Sequence, residues 1–428
     1  MPINLVKRGA LNIGFISTRI AGTDGVSLET AKWADVLERL GHTCFYFAGS
    51  CDRAEDRSLV IPDLFYRHPE IKGRHESFWG HSKRRPEDTV WIHAKRDYYR
   101  LEIRKFISTF EIDVLVPENV LAIPLNIPLG LAIAELIAET GIPTIAHHHD
   151  FTWERKRFLV NCVSDYISMA FPPNLLPIQH VVINSLAHHQ LARRTGVGST
   201  VIPNVMEFEK PAEKADEYSS DLRSVLGLDS DELFVLQPTR VIQRKGIEHA
   251  IEIVSRLGRK VALVISHAAG DEGTEYERRV RQYADLLGVR TLFISDIFGS
   301  KRGTTDDGRK IYSIGDVYPH ADLVTYPSEF EGFGNAFLEA IYFRRPIVVN
   351  HYSTYAVDIR PKGFLVIEFD NYVTEDTISR IHRVIDNPSL VAEMTNENYR
   401  LALKHFSYAT LERQLRVLLA NCLGQTNL

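Results

Sequence analysis

The sequence predicts an α/β protein of two doubly wound domains, each a parallel sheet with helices on both faces. Short, nearly continuous apolar runs bounded by turn residues alternate with amphipathic helical segments, which is the pattern of buried parallel strands joined by helices. The alternation stops at a polar stretch, EFEKPAEKADEYSSD (207–221), and then starts again. A length of 428 residues is enough for two or three domains of ordinary size.

The first half begins with a strand and an amphipathic helix, LETAKWADVLERLGH (28–42), which contains Gly41 near its end. The predicted strands of this half are LNIGFIST (11–18), CFYFAG (44–49), IDVLVPE (112–118), IPTIAHHH (142–149) and HVVINS (180–185). We take residues 1–205 as the first domain.

The second half repeats the pattern around the helix GIEHAIEIVSRLG (246–258). Its predicted strands are LFVLQPTR (233–240), KVALVIS (260–266), TLFISDI (291–297), ADLVTYPS (321–328) and PIVVN (346–350). We take residues 206–405 as the second domain, joined to the first near 205–230. A last amphipathic helix, FSYATLERQLRVLLANCL (406–423), follows it.

Composition narrows the class of protein. A net charge of −5 does not suggest a broad basic face, so we expect no nucleic-acid partner. Four cysteines without Cys-x-x-Cys spacing indicate free thiols in a reducing compartment. The most apolar segment (120–136) is broken by prolines, a glycine and an asparagine, so we expect no membrane span. With no export signal before the first strand, we expect a cytoplasmic protein. The oligomeric state is not indicated.

Ligands of doubly wound sheets bind beyond the carboxyl ends of the strands, where this chain has three candidate loops. The first, AGTDGVS, contains Gly22 and Gly25, and glycines let a backbone approach a phosphate closely. The alternative is an ordinary tight turn. Gly-x-x-Gly differs from the Gly-x-Gly-x-x-Gly of dinucleotide enzymes, which disfavours a nicotinamide oxidoreductase.

The second loop, PTRVIQRKG (238–246), carries Arg240 at a strand end and Lys245 before the next helix. Two cations on one loop can neutralise a diphosphate, with arginine as a paired donor and lysine as a point charge. The alternative is a pair of solvated surface cations.

The third loop lies in PSEFEGFGNAFLEA (327–340). Gly332 and Gly334 leave the backbone accessible, and Asn335 is predicted as the N-cap of the next helix. Glu331 and Glu339 would then lie near one helix N-terminus, aimed at one volume. A carboxylate can accept hydrogen bonds from two hydroxyls, which suits sugar and ribose diols. The alternative is one capping acid and one surface acid.

These residues resemble a known family. Glu331 to Glu339 looks like the Glu-x₇-Glu signature of retaining GT-B glycosyltransferases of family 4. The resemblance covers nearly the whole chain in the family's order and also includes GTDGVS, HHHD (147–150), VIPNVMEF (201–208), and Arg240 with Lys245. It implies the GT-B fold, in which two Rossmann-like domains face each other across a cleft. The first domain would bind the acceptor, with helix 406–428 packing back on it, and the second would bind the nucleotide sugar.

The resemblance also implies roles for single residues. Glu339 resembles the glutamate that holds the donor ribose. Glu331 resembles the one that faces the C3 and C4 hydroxyls of the transferred sugar. Arg240 and Lys245 would neutralise the leaving diphosphate, and the Gly22–Gly25 loop would cover it. The sugar would also be lined by Gly332, Phe333, Gly334 and Asn335. Retention is implied too, with no cofactor; because no Asp-x-Asp motif stands at a donor site, we expect no essential metal.

The family places one histidine near the sugar O6 and the acceptor. The chain has His147, His148 and His149, and strand alternation puts the first and third on one face and His148 on the other. We favour His148 as a catalytic residue, with His149 second. The alternative is that these histidines only satisfy hydrogen bonds of the loop.

The acceptor side is predicted from basic clusters in the first half of the chain. Lysine and arginine near an active cleft can hold a phosphate, although solvated helix faces are the alternative for any one of them. The acceptor-binding candidates are Lys95, Arg96, Glu118, Asp150, Arg155, Lys156 and Arg157.

Within the family, a phosphorylated acceptor indicates an enzyme resembling sucrose-phosphate synthase, which joins glucose from UDP-glucose to fructose 6-phosphate. The alternatives are transferases that use GDP-mannose or another nucleotide sugar on phosphoglycerate-type, polysaccharide or lipid acceptors. A catalytically silent nucleotide-sugar-binding protein is the more remote alternative.

Overall fold

The computed structural model describes residues 9–270 and 273–424. It divides the chain into two compact units: unit 1 is Met1–Val205 with Tyr408–Leu428, and unit 2 is Met206–Ser407. Each unit is built around its own parallel sheet.

Unit 1 contains a seven-stranded sheet. Its strands are β1 Asn12–Ser17, β2 Thr43–Ala48, β3 Ser58–Val60, β4 Val114–Pro117, β5 Thr144–His148, β6 Ile178–Val182 and β7 Thr200–Val201. They lie in the order β3-β2-β1-β4-β5-β6-β7, with every neighbouring pair parallel. Its helices are α1 Gly25–Arg39, α2 Pro69–Glu76, α3 Pro86–Thr109, α4 Ile127–Thr140, α5 Ser164–Ala170 and α6 Ser185–Thr195.

Unit 2 contains a six-stranded sheet and a short hairpin. The strands are β8 Leu233–Gln237, β9 Val261–Ile265, β10 Arg290–Phe293, the hairpin strands β11 Gly303–Thr304 and β12 Lys310–Ile311, β13 Leu323–Tyr326, β14 Ile347–Asn350 and β15 Ile367–Phe369. The sheet order is β10-β9-β8-β13-β14-β15, all parallel. The helices are α7 Leu222–Val225, α8 Ile247–Arg256, α9 Glu275–Leu286, α10 Ile314–Val317, α11 Asn335–Tyr342, α12 Glu375–Ile385 and α13 Pro388–His405.

The apolar helix α4 shows how local sequence sets an element. The Asn126 side chain accepts a hydrogen bond from the backbone N–H of Leu129 at 3.2 Å, which caps the first turn. Gly141 ends the helix at φ 66°, in the left-handed region that glycine adopts without a Cβ penalty. Between these caps most side chains are buried, so α4 is a core helix of unit 1. No helix in the described ranges has the length and apolar character to cross a membrane.

The last helix, α14 (Tyr408–Cys422), belongs to unit 1 although it follows the whole of unit 2 in sequence. Leu411, Leu415 and Leu418 are almost completely buried in the cluster that contains side chains of α1, β1 and β2. Each buried leucine contributes about 1.5–3 kcal/mol relative to exposure. The helix therefore completes the core of unit 1.

The strand orders locate the ends at which a ligand can bind. Each sheet runs outward in both directions from a central pair: β1 and β4 in unit 1, and β8 and β13 in unit 2. In open α/β sheets ligands bind at such a switch point, beyond the carboxyl ends of the strands. The loop containing Gly22 follows β1 and Glu118 follows β4, while Arg240 follows β8 and Glu331 follows β13.

The predicted fold class, two doubly wound parallel-sheet domains, is confirmed. The sequence analysis did not include the edge strands β3, β7 and β15 or the β11–β12 hairpin. These strands have only two or three residues each, which is too short for a period-two pattern to be recognised.

Candidate active site

Two loops of unit 2 meet at the end of its central strands. Gly246 has φ 58°, and a Cβ at this position would lie 2.5 Å from the carbonyl oxygen of Pro327. The loop after β8 can therefore approach the loop after β13 only because residue 246 is glycine. The backbone N–H of Glu329 also donates to the carbonyl of Arg244 at 2.9 Å. These contacts bring Lys245 next to Glu331.

Lys245 and Glu331 form a buried ion pair. Arg244 adds a second contact, with its Nη1 3.1 Å from Glu331 Oε2, and Lys245 and Glu331 are only 9% and 7% exposed. Burial raises the pKa of Glu331, but Lys245 and Arg244 outweigh it and hold that pKa below its usual value. Burial lowers the pKa of Lys245, against the effect of Glu331. We name Arg244, Lys245 and Glu331 the cationic cluster.

Arg240 lies beside the cationic cluster and is exposed. Among the residues that the structure describes it has no ion-pair partner, and its Nη1 would lie 3.7 Å from a Cβ at Gly270. Its charge still acts on its neighbours. Burial, Lys245 and Arg240 together lower the pKa of His267, which follows β9, to about 4. Two cations contact the Glu331 carboxylate and the charge of Arg240 acts on Lys245, so this end of the sheet can attract a diphosphate.

The glycine loop after Glu331 is held from one side by two hydroxyls. Tyr352 donates to the carbonyl of Phe333 at 3.0 Å, and Thr354 donates to the carbonyl of Glu331 at 3.1 Å. At Gly334, with φ 126°, a Cβ would lie 2.4 Å from the Tyr352 hydroxyl. The loop path therefore requires glycine at 334.

The prediction that Asn335 caps α11 is wrong. The N-cap position is Gly334, and Asn335 is the first residue of the helix. At position 334 the positive φ and the nearby Tyr352 hydroxyl suit glycine and exclude a residue with a Cβ. Glycine takes the N-cap position there, so the helix begins one residue earlier than predicted.

The two glutamates have different surroundings. Glu339 lies on α11, is partly exposed, and accepts a hydrogen bond from the buried Tyr318 hydroxyl at 2.9 Å. Glu331 is held by cations instead. Glu331 and Glu339 therefore have different partners in the described contacts. That both bind one ligand stays a prediction.

In unit 1 the loop after β1 has the backbone expected of a glycine turn. Gly22 has φ 78°, and its N–H donates to Asp52 Oδ2 at 2.9 Å. Gly25 is the first residue of α1, which is capped by the Asp24 side chain. Arg19 lies 2.9 Å from the Asp24 carboxylate, so this helix N-terminus already has a carboxylate cap.

The histidines divide between two faces, as strand alternation predicts. His147 Nδ1 and His149 Nε2 lie 3.0 Å and 3.4 Å from the same oxygen of Glu118, Oε2. Glu118 is completely buried, and burial raises its pKa to about 7 against the opposing effect of His149. Burial lowers the pKa of His147 to about 3 and also lowers the pKa of His149. We name Glu118, His147 and His149 the Glu118 cluster.

His148, the favoured catalytic histidine, points into the core. It is 1% exposed, its Nε2 lies 2.9 Å from His180 Nδ1, and its ring packs on Phe151. Burial, reinforced by His180, holds the pKa of His148 well below its usual value. His147 and His149 lie on the other face of the strand, where they contact Glu118.

The Glu118 cluster also has the donor atoms that a metal ion would need. One atom from each side chain lies within 4.8 Å of the other two, and all three groups are buried. Two imidazoles and a carboxylate suit zinc or a related cation. The contacts of 3.0 Å and 3.4 Å are equally those of hydrogen bonds, so the expectation of no essential metal stays a prediction.

Most of the predicted acceptor-binding cations are paired with acids. Lys95 Nζ lies 2.7 Å from Asp63 and 2.8 Å from Glu70, and Arg96 lies 3.1 Å from Glu135. The ion pairs along α3 therefore neutralise the cations that were expected to bind a phosphate.

The basic segment after the histidines differs in part. Arg155 forms an ion pair with Asp150, and Arg157 lies over the Phe158 ring at 4.5 Å. Lys156 is exposed and has no ion-pair partner among the described residues. A role of Lys156 in binding an acceptor stays a prediction.

Five residues at or near these loops were not predicted from the sequence. They are Arg244 of the cationic cluster, His267, Tyr318, Tyr352 and Thr354. Arg244 had a signal, since it precedes Lys245 in the loop that was singled out. The other four lie outside the two loops, and no spacing in the sequence connects them to the site.

The chain is similar to known glycosyltransferases. Residues 219–401, within unit 2, match the family described as "Glycosyl transferases group 1". Over 438 residues the chain is 30% identical to a mannosylglucosylglycerate synthase of Thermotoga maritima, covering 94% of this chain and 98% of that protein. It is 32% identical over 390 residues to the synthase of the same name from Petrotoga mobilis, covering 83% and 86%.

A solved sucrose-phosphate synthase from Thermosynechococcus elongatus superimposes with a TM-score of 0.68 at 15% identity, covering 97% of this chain and all of that one. A likeness at this identity shows the fold alone, so the predicted closeness to sucrose-phosphate synthase is not shown. The sequence identities and the family match instead establish that this chain belongs to the group 1 glycosyltransferases, which have the GT-B fold, and that it is a nucleotide-sugar glycosyltransferase.

Proposed function

We propose that this chain transfers a mannosyl group from GDP-mannose to glucosylglycerate, forming mannosylglucosylglycerate with retention of anomeric configuration. The observation that carries the proposal is identity of 30–32% to two synthases of that product over most of the chain. The cationic cluster and Arg240 supply the groups that such a transfer needs in unit 2. This proposal replaces transfer to fructose 6-phosphate with transfer to a glycerate derivative, which is nearer to the phosphoglycerate-type alternative.

The cations act on the leaving group. As the glycosidic bond breaks, negative charge grows on the diphosphate, and cations fixed beforehand stabilise that charge more than they stabilise the bound donor. Lys245 is fixed by Glu331, so it needs no rearrangement during the reaction. Arg240 has no ion-pair partner among the described residues, which leaves its guanidinium available to two diphosphate oxygens.

Glu331 and Glu339 bind the donor. In this proposal Glu339 accepts the ribose hydroxyls while Tyr318 holds its other side at 2.9 Å. Glu331 faces the sugar hydroxyls and stays ionised because Lys245 and Arg244 lower its pKa. We assign it no nucleophilic role; the departing diphosphate takes the acceptor proton on the same face of the sugar. His149 is the catalytic histidine of this proposal.

The acceptor is an unphosphorylated glycerate derivative. The ion pairs of Lys95 and Arg96 leave those cations unsuited to a phosphate. A single carboxylate requires less positive charge, and Lys156 can supply it.

The experiment is a nucleotide-release assay that crosses GDP-mannose, UDP-glucose and ADP-glucose with four acceptors. The acceptors are glucosylglycerate, its 3-phosphoglycerate counterpart, 3-phosphoglycerate and fructose 6-phosphate. We expect GDP release with GDP-mannose and glucosylglycerate, and an α-linked product by NMR. Release with UDP-glucose and fructose 6-phosphate instead would restore the sucrose-phosphate reading, and a preference for phosphorylated acceptors would contradict the assigned acceptor.

A further inference from the structure

The end of β4 holds the end of β5 through two consecutive residues, Glu118 and Asn119. Glu118 contacts the rings, because two imidazole nitrogens converge on its Oε2. Two N–H donors on one oxygen are best accepted by a carboxylate, so the arrangement favours a proton on His149 Nε2. His149 Nδ1 is then left as a hydrogen-bond acceptor.

Asn119 contacts the backbone of the same segment. Its Oδ1 accepts from the N–H of His149 at 2.9 Å and from the N–H of Asp150 at 3.4 Å, and its own N–H donates to the carbonyl of His147 at 2.8 Å. Its Nδ2 donates to Asp150 at 2.8 Å. Asn119 adopts φ 58°, a left-handed conformation that asparagine tolerates better than most residues. Neither the backbone nor the ring of His149 is therefore free to turn.

The complete burial of the Glu118 carboxylate needs a functional explanation. The carboxylate is completely buried, and its second oxygen, Oε1, has no hydrogen-bond partner in the described part of the chain. A glutamine or a leucine would fill the space without the cost of burying a charge. The feature that only a carboxylate supplies is a strong acceptor for both imidazoles at once.

We propose that Glu118 and Asn119 are positioning residues, which fix the tautomer, the ring orientation and the backbone of His149 for sugar transfer. This inference rests on the proposed function, in which His149 is the catalytic histidine. Glu118, at the end of β4, contacts the imidazole rings of His147 and His149. It acts on sugar transfer only through these rings. Loss of either residue then lowers turnover through misplacement of His149, while donor binding in unit 2 is unchanged.

The first test reads the tautomer directly and needs no substrate. Protein with ¹⁵N-labelled histidine is compared as wild type and as Glu118→Gln, and the signals are assigned with His149→Ala. We expect a single neutral tautomer protonated at Nε2 for His149 in the wild type, and a mixture in Glu118→Gln. An unchanged His149 signal in Glu118→Gln would overturn the inference even if the enzyme proves to have another substrate.

The second test is a double-mutant cycle on turnover. We expect Glu118→Gln to lower kcat roughly 10- to 100-fold with KM for the nucleotide sugar changed less than about 3-fold, as for a misplaced catalytic group. In the His149→Ala background, Glu118→Gln should then have little further effect on kcat, because both changes remove one function. Equal losses in both backgrounds would show a structural role and overturn the inference.

Two further variants keep the cycle interpretable. Asn119→Gly retains the left-handed backbone and removes the side-chain clamp, so it should lower kcat in the same way if Glu118→Gln does not fold. Asp88→Asn is the matched control: Asp88 is buried in unit 1 and paired with Arg74 at 3.0 Å and Arg85 at 2.8 Å. It should leave kcat unchanged. Metal analysis of purified protein completes the set, since one equivalent of zinc that is lost in Glu118→Gln would make these residues ligands and overturn the positioning role.

Discussion

Two buried glutamates, Glu331 in unit 2 and Glu118 in unit 1, follow central strands of their parallel sheets and are in opposite electrostatic situations. Glu331 lies between a lysine and an arginine, which hold its pKa below the usual value. Glu118 lies between two neutral imidazoles, and burial raises its pKa to about 7. Burial is common to both. The neighbouring groups decide how readily each carboxylate is protonated: the cations beside Glu331 oppose its protonation strongly, and the imidazoles beside Glu118 oppose it less.

The largest expected difference is in stability when each carboxylate is neutralised. Glu331→Gln leaves Lys245 buried opposite an uncharged group, so we expect a loss of about 3–5 kcal/mol in the free energy of unfolding. Glu118→Gln leaves no unpaired charge and should cost about 1–3 kcal/mol for imperfect hydrogen bonding. Urea unfolding of both variants measures the difference. Equal losses would contradict the contrast between the two sites.

The next effect is on turnover. Lys245→Ala removes a fixed cation from the leaving group, and we expect kcat to fall by about 10²- to 10³-fold, as for loss of one preorganised charge-stabilising group. The matched control is Lys260→Ala, which removes a half-exposed lysine from a surface pair with Asp229. It should retain wild-type turnover in the nucleotide-release assay. A similar loss in both variants would mean that the lysine effect is not local.

The two glutamates should also differ in how their contributions to stability depend on pH. The pKa of Glu118 is about 7 in the folded state and near its ordinary value of 4.5 when unfolded, so its stabilising contribution is present below pH 4.5 and lost as pH rises to 7. The slope reaches about 1.4 kcal/mol per pH unit. The pKa of His147 is about 3 when folded, so its contribution has the opposite sign, falling as pH drops below 6.5.

The measurement is urea unfolding of wild type and Glu118→Gln between pH 4.5 and 7.5. We expect the stability advantage of the wild type to shrink as pH rises through this range. For Glu331→Gln the series is extended below pH 4.5, because the pKa of Glu331 is lowered on folding from its ordinary value of 4.5. The contribution of Glu331 is therefore full above pH 4.5, and we expect the stability advantage of the wild type over this variant to shrink as pH falls below 4.5. Parallel pH profiles for the two variants would show that the pKa values of both glutamates shift in the same direction on folding.

The smallest effect is expected for Arg244→Ala. Arg244 is partly exposed, with 39% of its side chain accessible, and Lys245 still neutralises Glu331 without it. We expect a loss of about 1 kcal/mol or less in stability, as for other partly exposed ion pairs. Thermal unfolding and the release assay measure it. A loss as large as that of Lys245→Ala would make Arg244 the principal partner of Glu331.

Site residues that lie on one loop could be predicted from the sequence, and contacts between distant segments could not. Arg240 with Lys245, and Glu331 with its glycines, each lie on one loop, so their spacing was visible in the sequence. The strand alternation of His147 to His149 was visible for the same reason. The partners of these groups were not: Glu118 reaches His149 from the neighbouring strand, and Tyr318 reaches Glu339 from a different element.

The choice of His148 shows why alternation alone is insufficient. Alternation divides three histidines into two faces without saying which face is the core, and His180, on the adjacent strand, makes the His148 face a buried pair. The cap at Gly334 is a similar case. Its conformation depends on Tyr352, which lies beyond the next strand. The ion pairs of Lys95 with Asp63 and of Arg96 with Glu135 could not be predicted either, because these acids lie far away in sequence.

The position of α14 has a consequence for how the chain acquires its structure during synthesis. Three leucines that complete the core of unit 1 are translated after every residue of unit 2. On the ribosome, the first unit to be made must wait with part of its apolar interior open, while the second, which is continuous in sequence, can finish first. We therefore expect unit 1 to complete its core only after α14 has been made, and loss of this helix to destabilise the half of the protein that is translated first.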